Sequence, residues 1–204
     1  MVAMAGAGAG KGERGVIERT LAIIKPDAWH RAKEIEEDIR AAGLAILAKR
    51  DVMLTKDQCA DFYIEHVDKP FFEDLTEFMT MGTCRVLILS GPRAISYWRQ
   101  LIGPTSVEKA RKEFPTTIRA RYGGGKTQNA VHGSDSFTSA EREIHFFFPD
   151  LEPVSVADQV RSYLAHEVNP TLTVALAELC KTQPDDPVFW LANWLKDNNP
   201  NTRR

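Results

Sequence analysis

The sequence predicts an α/β sandwich, with helices packed on one β-sheet, followed by a helical hairpin. Short apolar runs typical of buried strands alternate with segments whose apolar residues recur at helical spacing, in the order β-α-β-α-β-α-β. After a break at residues 149–153, which carry two prolines, the pattern is purely helical. The 204 residues, 43% hydrophobic and 26% charged, suffice for one sizeable core plus an appendage.

The first elements follow from local signals. The apolar run 21–24 stops at a Lys-Pro-Asp turn and indicates a buried strand. Residues 33–42 are predicted to form a helix, with Gly43 as a plausible C-cap, and residues 44–54 to form a second strand. A Thr-Lys-Asp-Gln capping box at 55–58 opens the next helix.

The later elements surround a long segment without a clear period. They are a helix at 71–79, a strand at 85–89, a helix at 93–101, a short strand at His132 and a helix at 136–147. Pro92 is assigned to the N1 position of the helix at 93–101. Residues 103–128 are predicted to be irregular, and such long loops in compact domains are usually functional or disordered.

The C-terminal hairpin is predicted from two runs at helical spacing. These are Leu172, Ala175, Leu176 and Leu179, then Val188, Leu191 and Leu195. Asp186 is a good N-cap and Pro187 a good first residue for the second helix. Because two short helices cannot bury both apolar faces alone, we expect dimerisation or packing on the first domain. The predicted boundaries are a flexible leader at 1–18, the α/β domain at 19–150, a linker at 151–167 and the hairpin at 168–200.

Composition argues against several classes of protein. The net charge of -2 gives no electrostatic footprint for nucleic acid or an anionic membrane, and no apolar run approaches the length of a membrane span. The three cysteines are too far apart for a disulfide framework, which indicates a reducing compartment. The histidines have no paired spacing, so no protein-bound metal site is predicted.

His132 is the candidate for chemistry. It follows a short apolar approach and precedes a Gly-Ser-Asp-Ser turn and a helix. The free N–H groups and the dipole of a helix start favour a bound phosphate there. A neutral imidazole is also a competent nucleophile near neutral pH. The ordinary alternative is a histidine that merely hydrogen-bonds in a turn.

Phosphoryl transfer needs positioning and positive charge around the phosphate, and the chain offers both. The candidates are Lys25, Arg99 and Arg119 as cations, Thr105 and Asn129 as hydrogen-bond donors, Phe71 to stack on a base, and Glu143 to fix the histidine tautomer. Each has an ordinary alternative as a surface, turn or core residue. Residues 123–127, Gly-Gly-Gly-Lys-Thr, look like the end of a P-loop, but Ala120 stands where that motif needs glycine, so we interpret them as a flexible loop.

Two motifs carry a resemblance to a known family. Residues 18–27, Glu-Arg-Thr-Leu-Ala-Ile-Ile-Lys-Pro-Asp, and residues 129–136, Asn-Ala-Val-His-Gly-Ser-Asp-Ser, with Glu143 in the helix that follows, resemble the nucleoside diphosphate kinase family. The resemblance covers roughly residues 19–148 and implies a ferredoxin-like βαββαβ sandwich with an antiparallel sheet. It also implies that a histidine takes the γ-phosphate of ATP or another nucleoside triphosphate and passes it to a nucleoside diphosphate. Mg²⁺ is expected to be bound through the nucleotide phosphates.

The resemblance assigns roles residue by residue. His132 matches the phosphorylated histidine and Glu143 its orienting carboxylate. The nucleotide-binding matches are Lys25, Arg99 and Arg119 for the phosphates, Tyr63, Thr105, Asn129 and Ser134 as polar contacts, and Phe71 for base stacking. The chain departs from the family pattern after Asp27, where the connection is shorter, and between Thr105 and Arg119, where it is three residues longer.

The tail carries a second resemblance. Residues 169–179 and 186–195 are similar to the Dpy-30 dimerisation motif, which implies that hairpins pair, as a self- or hetero-dimer, into a four-helix bundle that grips an amphipathic helix of a partner. The combination is similar to ciliary members of the kinase family, which implies an axonemal address and a radial-spoke scaffold protein as that partner. Two functions stay open: an enzyme docked through its tail, or a structural radial-spoke component with weak or no kinase activity.

Overall fold

A computed structural model describes residues 17–200 of the chain, and these contain a four-stranded antiparallel sheet. The strands are β1 (Ile17–Ile24), β2 (Ala45–Val52), β3 (Cys84–Pro92) and β4 (Val131–Gly133), in the order β2-β3-β1-β4. The predicted leader lies outside the described residues except for Ile17 and Glu18, which begin β1 and pair with Pro92 and Gly91. The first strand therefore starts earlier than the apolar run suggests.

Seven helices of the described chain accompany the sheet. They are α1 (Ala32–Ala41), α2 (Lys56–Phe62), α3 (Phe72–Thr80), α4 (Ala94–Ile102), α5 (Val107–Glu113), α6 (Ile118–Tyr122) and α7 (Phe137–Phe147). Short 3-10 turns at Pro26–Arg31 and Ile64–His66 add to them. The arrangement is the ferredoxin-like α/β sandwich that the sequence predicts.

Strand β1 lies at the centre of two apolar cores. Ala22 and Ile24 belong to the core that α1 and α4 close, and Leu21 and Ile23 belong to the core that α2, α3 and α7 close. All four side chains are fully buried. Successive residues of a strand point to opposite faces, so an uninterrupted apolar run is the expected sequence of a strand covered on both faces.

Local capping signals form as the sequence predicts. Thr55 Oγ1 accepts a hydrogen bond from the Gln58 backbone N–H at 3.2 Å, and Gln58 Oε1 accepts one from the Thr55 N–H at 3.0 Å, which completes the capping box of α2. Gly43 follows α1 with a φ of 84°, a left-handed conformation that glycine adopts at little cost.

The predictions for Pro92 and for residues 103–128 are wrong. Pro92 is the last residue of β3 and not the first of a helix; Arg93, with a φ of 51°, precedes α4, which begins at Ala94. A proline at the end of a strand removes no hydrogen bond that the strand pairing requires, so β3 can include Pro92 as its last residue. Residues 103–128 are not irregular throughout, because they contain α5, capped by the Ser106 side chain, and α6.

The described chain divides into two compact units, the sandwich at 17–154 and a C-terminal unit from residue 155 onwards. The second unit contains α8 (Val156–Tyr163), a π-helical turn at Leu164–Val168, α9 (Asn169–Thr182) and α10 (Pro187–Asp197). Most of the stretch assigned to a linker, 151–167, is thus helical. Asp186 caps α10 as predicted, because its Oδ1 accepts from the Phe189 N–H at 3.0 Å. Within residues 17–200, no helix combines the length and apolar character needed to cross a membrane.

Candidate active site

His132 lies on the short edge strand β4, opposite Ile23 of β1. Its Nε2 is 2.9 Å from Glu143 Oε2. An ionised carboxylate only accepts hydrogen bonds, so Nε2 carries the proton and the lone pair of the neutral ring lies on Nδ1. The rings of Phe62 and Tyr63 pack against the imidazole with centroids 5.5 and 5.9 Å away. The histidine is thus fixed in tautomer and orientation while its side chain stays 19% exposed.

Glu143, on α7, is buried, and a second side chain holds it in place. Ser134 Oγ donates to Glu143 Oε2 at 2.8 Å and accepts from the Leu21 backbone N–H at 3.2 Å. One carboxylate oxygen therefore receives hydrogen bonds from both the serine and the histidine. Ser134 lies behind the carboxylate and acts on the site through it, rather than facing the cleft.

Two cations of the site come from different elements, and Lys25 is buried while Arg119 is partly buried. Lys25, directly after β1, donates from Nζ to Asn129 Oδ1 at 2.8 Å and to the Thr127 carbonyl at 3.2 Å. Arg119, on α6, donates to the Gly103 carbonyl at 2.7 Å and the Val131 carbonyl at 3.1 Å. Burial and the nearby Arg119 charge lower the pKa of Lys25 to about 8. Burial and Arg99 lower the pKa of Arg119 to about 10, and its Nε has no partner.

A single cleft of about 750 Å³ collects nine of the ten residues predicted for the site. The nine are Lys25, Tyr63, Phe71, Arg99, Thr105, Arg119, Asn129, His132 and Glu143. Ser134 is the tenth, behind Glu143. The cleft lining includes four cationic side chains, Lys25, Arg99, Arg119 and Lys126, and three carboxylates, Glu65, Asp135 and Glu143. Cations that converge on one cleft beside a histidine suit it to a polyanion.

The aromatic residues occupy different depths of the cleft. Tyr63 is buried, and its hydroxyl has no hydrogen-bond partner within the described chain. Burial, with a further contribution from the Glu143 carboxylate, raises the pKa of Tyr63, so the hydroxyl stays protonated as a donor. Phe71 is 48% exposed, which leaves its ring open to a flat ligand.

The cleft is also lined by residues outside the predicted set, and those with titratable side chains are Glu65, His66, Lys126 and Asp135. The His66 ring lies between Tyr63 and Phe71, at centroid distances of 6.3 and 5.8 Å. Its place in a short 3-10 turn gives no periodic signal. Lys126 belongs to the glycine-rich segment at 123–127, which is no P-loop but reaches the cleft because the neighbouring Thr127 carbonyl binds Lys25.

The backbone beside His132 is tightly constrained. Trp98 Nε1 donates to the His132 carbonyl at 3.2 Å, and a Cβ on Gly133 would lie 2.5 Å from that nitrogen. Ala130 has a φ of 66°, a left-handed conformation that costs a non-glycine residue about 1–3 kcal/mol. The segment 129–133 therefore tolerates few other backbone arrangements.

Fold and cleft together define a ferredoxin-like α/β domain with a histidine-centred cationic cleft. The family model of nucleoside diphosphate kinase matches residues 18–153, and that of the Dpy-30 motif matches residues 159–200. The chain belongs to the nucleoside diphosphate kinase family and carries a C-terminal Dpy-30 motif, as both sequence resemblances imply.

Similar proteins agree with this assignment. Over 187 residues, 91% of this chain, it is 49% identical to nucleoside diphosphate kinase homolog 5 of Danio rerio and 44% identical to that of Homo sapiens. The match covers 86% and 88% of those two proteins. The solved structure of the Aquifex aeolicus nucleoside diphosphate kinase is 42% identical, with a TM-score of 0.63, over 68% of this chain and 99% of that one.

Proposed function

We propose that the chain transfers the γ-phosphate of a nucleoside triphosphate to a nucleoside diphosphate through a phosphohistidine at His132. The observation that carries this proposal is the 2.9 Å contact between His132 Nε2 and the buried Glu143 carboxylate. It leaves Nδ1 as the nucleophilic atom, in a cleft whose charges suit a triphosphate.

The reaction has two mirror-image halves. Nδ1 of His132 attacks the γ-phosphorus, a nitrogen–phosphorus bond forms, and the bond to the bridging oxygen breaks as the nucleoside diphosphate leaves. The imidazole gains positive character while it keeps its Nε2 proton, and Glu143 stabilises that charge. In the second half a new diphosphate attacks the phosphohistidine and restores the free ring. No net proton is taken up or released.

The remaining residues bind and orient the nucleotide. Lys25, Arg99 and Arg119 meet the phosphates, and the unpartnered hydroxyl of Tyr63 is available to donate to a phosphate oxygen. Thr105 and Asn129 contact phosphate or ribose, and Phe71 stacks on the base. No three-residue cluster of possible metal ligands occurs in the described chain, and the cationic cleft fits Mg²⁺ that arrives on the substrate phosphates.

Phosphoenzyme formation tests the reaction. We expect wild type incubated with γ-phosphate-radiolabelled ATP and Mg²⁺ to take up acid-labile label, and to release it on addition of a nucleoside diphosphate. His132→Ala should take up none, because the nucleophile is gone. His145→Ala removes an exposed histidine from α7 and is the matched control. Equal labelling of wild type and His132→Ala would overturn the proposal and favour the alternative of a non-catalytic structural component.

We also propose that the C-terminal unit docks the protein in the radial spoke of the ciliary or flagellar axoneme. Among the residues from 155 onwards whose burial is described, Ala175 is the one buried apolar residue, so little apolar surface is covered within this part of the unit. Pairing with a second hairpin and gripping an amphipathic helix of a spoke scaffold protein supplies that core. If deletion of residues 168–204 leaves incorporation into axonemes unchanged, the tail is not the anchor.

A further inference from the structure

The four consecutive residues 129–132, which end at the candidate nucleophile His132, are each held by a different part of the sandwich. Asn129 binds Lys25, the Val131 carbonyl accepts from Arg119, and the His132 carbonyl accepts from Trp98. The link between them is Ala130, which is fully buried. Its left-handed φ of 66° closes a three-residue turn, in which the Val131 N–H donates to the Asn129 carbonyl at 2.8 Å. Turns of this kind are rare and strained.

Asp27 is the side chain that holds this turn. Its Oδ2 accepts the Ala130 N–H at 3.0 Å, while the Lys25 backbone N–H donates to the Ala130 carbonyl at 2.8 Å. Both backbone polar groups of Ala130 are thereby paired with the segment that follows β1. Asp27 Oδ1 is buried without a partner in the described chain, so the carboxylate is kept at some cost in solvation.

We infer that Asp27 is a positioning residue for His132, because its carboxylate holds Ala130 in the turn that sets where β4 delivers the imidazole. The inference rests on the proposed function, because the reaction of His132 is what the positioning would serve. The contacts of Asp27 with Ala130 are nevertheless present whether or not the protein turns over substrate. Without the carboxylate, Ala130 relaxes towards negative φ, and the directions of Asn129 and Val131 change with it. The His132 ring is then displaced relative to Glu143, the partner of its Nε2.

Two other roles for Asp27 make different predictions. As a charge partner of Lys25, it acts through electrostatics and needs its negative charge. As a purely structural residue, it affects the free energy of unfolding but not the reaction of the folded fraction. A positioning role needs only a hydrogen-bond acceptor for the Ala130 N–H. Removing that acceptor should then lower the rate less when residue 130 adopts positive φ readily, as glycine does.

The experiment compares Asp27→Ala, Asp27→Asn, Ala130→Gly and the double variant Asp27→Ala/Ala130→Gly in the full chain. The rate of acid-labile labelling is corrected for the folded fraction, and Asp61→Ala, at an exposed position of α2, is the control. We expect Asp27→Ala to lower the rate on the order of 100-fold, the scale of a displacement of about 1 Å. Asp27→Asn keeps an acceptor oxygen and most of the rate. In the Ala130→Gly background, the loss caused by Asp27→Ala should shrink at least about tenfold, because glycine adopts positive φ without strain.

The outcomes separate the roles. An equal loss in both backgrounds, or an equal loss for Asp27→Asn and Asp27→Ala, overturns the inference in favour of a charge role. An unchanged rate for the folded fraction of Asp27→Ala overturns it in favour of a structural role.

Imidazole resonances of His132 give a readout that does not need catalysis. If wild type takes up no label, the proposed function fails, but the ¹⁵N and ¹H shifts of the His132 ring still test the inference. Asp27→Ala should move them and Asp27→Asn should not. Identical shifts in wild type and Asp27→Ala would show that Asp27 does not position the ring.

Discussion

At the scale of single residues, the fold lowers the pKa of Lys25 into the range near neutral pH. Burial is the largest cause of its lowered pKa, and repulsion from Arg119 adds to it. A pKa of about 8 leaves the ammonium group mostly charged at neutral pH but places its titration within an accessible range. A phosphate interacts favourably only with the charged form of Lys25, so the proposed nucleotide binding is expected to depend on pH.

We predict that the affinity of wild type for Mg·ADP weakens as pH rises through 8, because Lys25 then loses its charge. Calorimetric titrations between pH 6.5 and 9 measure this. Lys25→Gln should bind more weakly at neutral pH and lack the step. A step that persists in Lys25→Gln belongs to another group. The free energy of unfolding depends on pH in the opposite direction. Between pH 8 and 10.5 the Lys25 side chain is protonated in the unfolded chain but largely neutral in the folded one. Lys25 therefore makes the folded state more stable as pH rises through that window.

The sequence predicts which residues meet in the cleft but not all of their roles. The family resemblance supplies the ten predicted residues, nine of which line one cavity. The role proposed for Asp27 cannot be predicted from the motif in which it lies, because it depends on the positive φ of Ala130. Alanine is not a typical left-handed residue, so its identity gives no warning of the turn.

At the scale of secondary-structure elements, β4 shows how few residues suffice to hold His132 at the cleft. It is three residues long and pairs with β1 alone among the described strands. The position of its backbone is fixed by packing against α4, where Trp98 donates a hydrogen bond to the His132 carbonyl. Gly133 is the position that permits this close approach.

We predict that Gly133→Ala lowers the free energy of unfolding by about 1–3 kcal/mol, the cost of forcing a methyl group into a packed site. The added Cβ would lie 2.5 Å from Trp98 Nε1 and 2.6 Å from its Cδ1, so β4 or the indole must shift. Gly125→Ala is the matched control, because its Cβ would meet nothing within 4 Å. Urea unfolding measures both, and equal stabilities would contradict the packing argument.

Elements with strong local signals were predictable, and those set by tertiary contacts were not. The capping box of α2 and the N-cap of α10 form as their sequences predict. Helices α5 and α6 have seven and five residues, too few to show a helical period. The extension of β1 to Ile17 and of β3 to Pro92 depends on their pairing with each other, which no single segment reveals.

At the scale of the whole molecule, the two units differ in how they bury apolar surface. The sandwich has two cores built from buried side chains of strands and helices. The C-terminal unit leaves large apolar side chains uncovered, including Val174 at 53%, Val188 at 77% and Phe189 at 67% exposure. Surface of this kind is characteristic of a binding face.

We predict that Phe189→Asp weakens self-association of the chain about 10- to 100-fold, because burial of a phenylalanine contributes about 1.5–3 kcal/mol. Sedimentation equilibrium measures this. Thr173→Asp, which adds the same charge at an exposed polar position of α9, is the control. Labelling at His132 should be the same in both variants, because the cleft lies entirely within residues 17–154. Undiminished self-association of Phe189→Asp would exclude this face from the interface.

The double burial of β1 also decides how the sandwich comes apart. It pairs with β3 along its whole length and with β4 at residues 22–24, the Leu21 N–H donates to Ser134 Oγ, and its side chains are divided between the two helical layers. Because the two layers share β1, loosening one disturbs the other, and we expect residues 17–154 to unfold cooperatively as one thermodynamic unit. The peptide hydrogens of residues 21–24 consequently exchange with deuterated solvent only through global opening, and their protection reports the full stability of the domain.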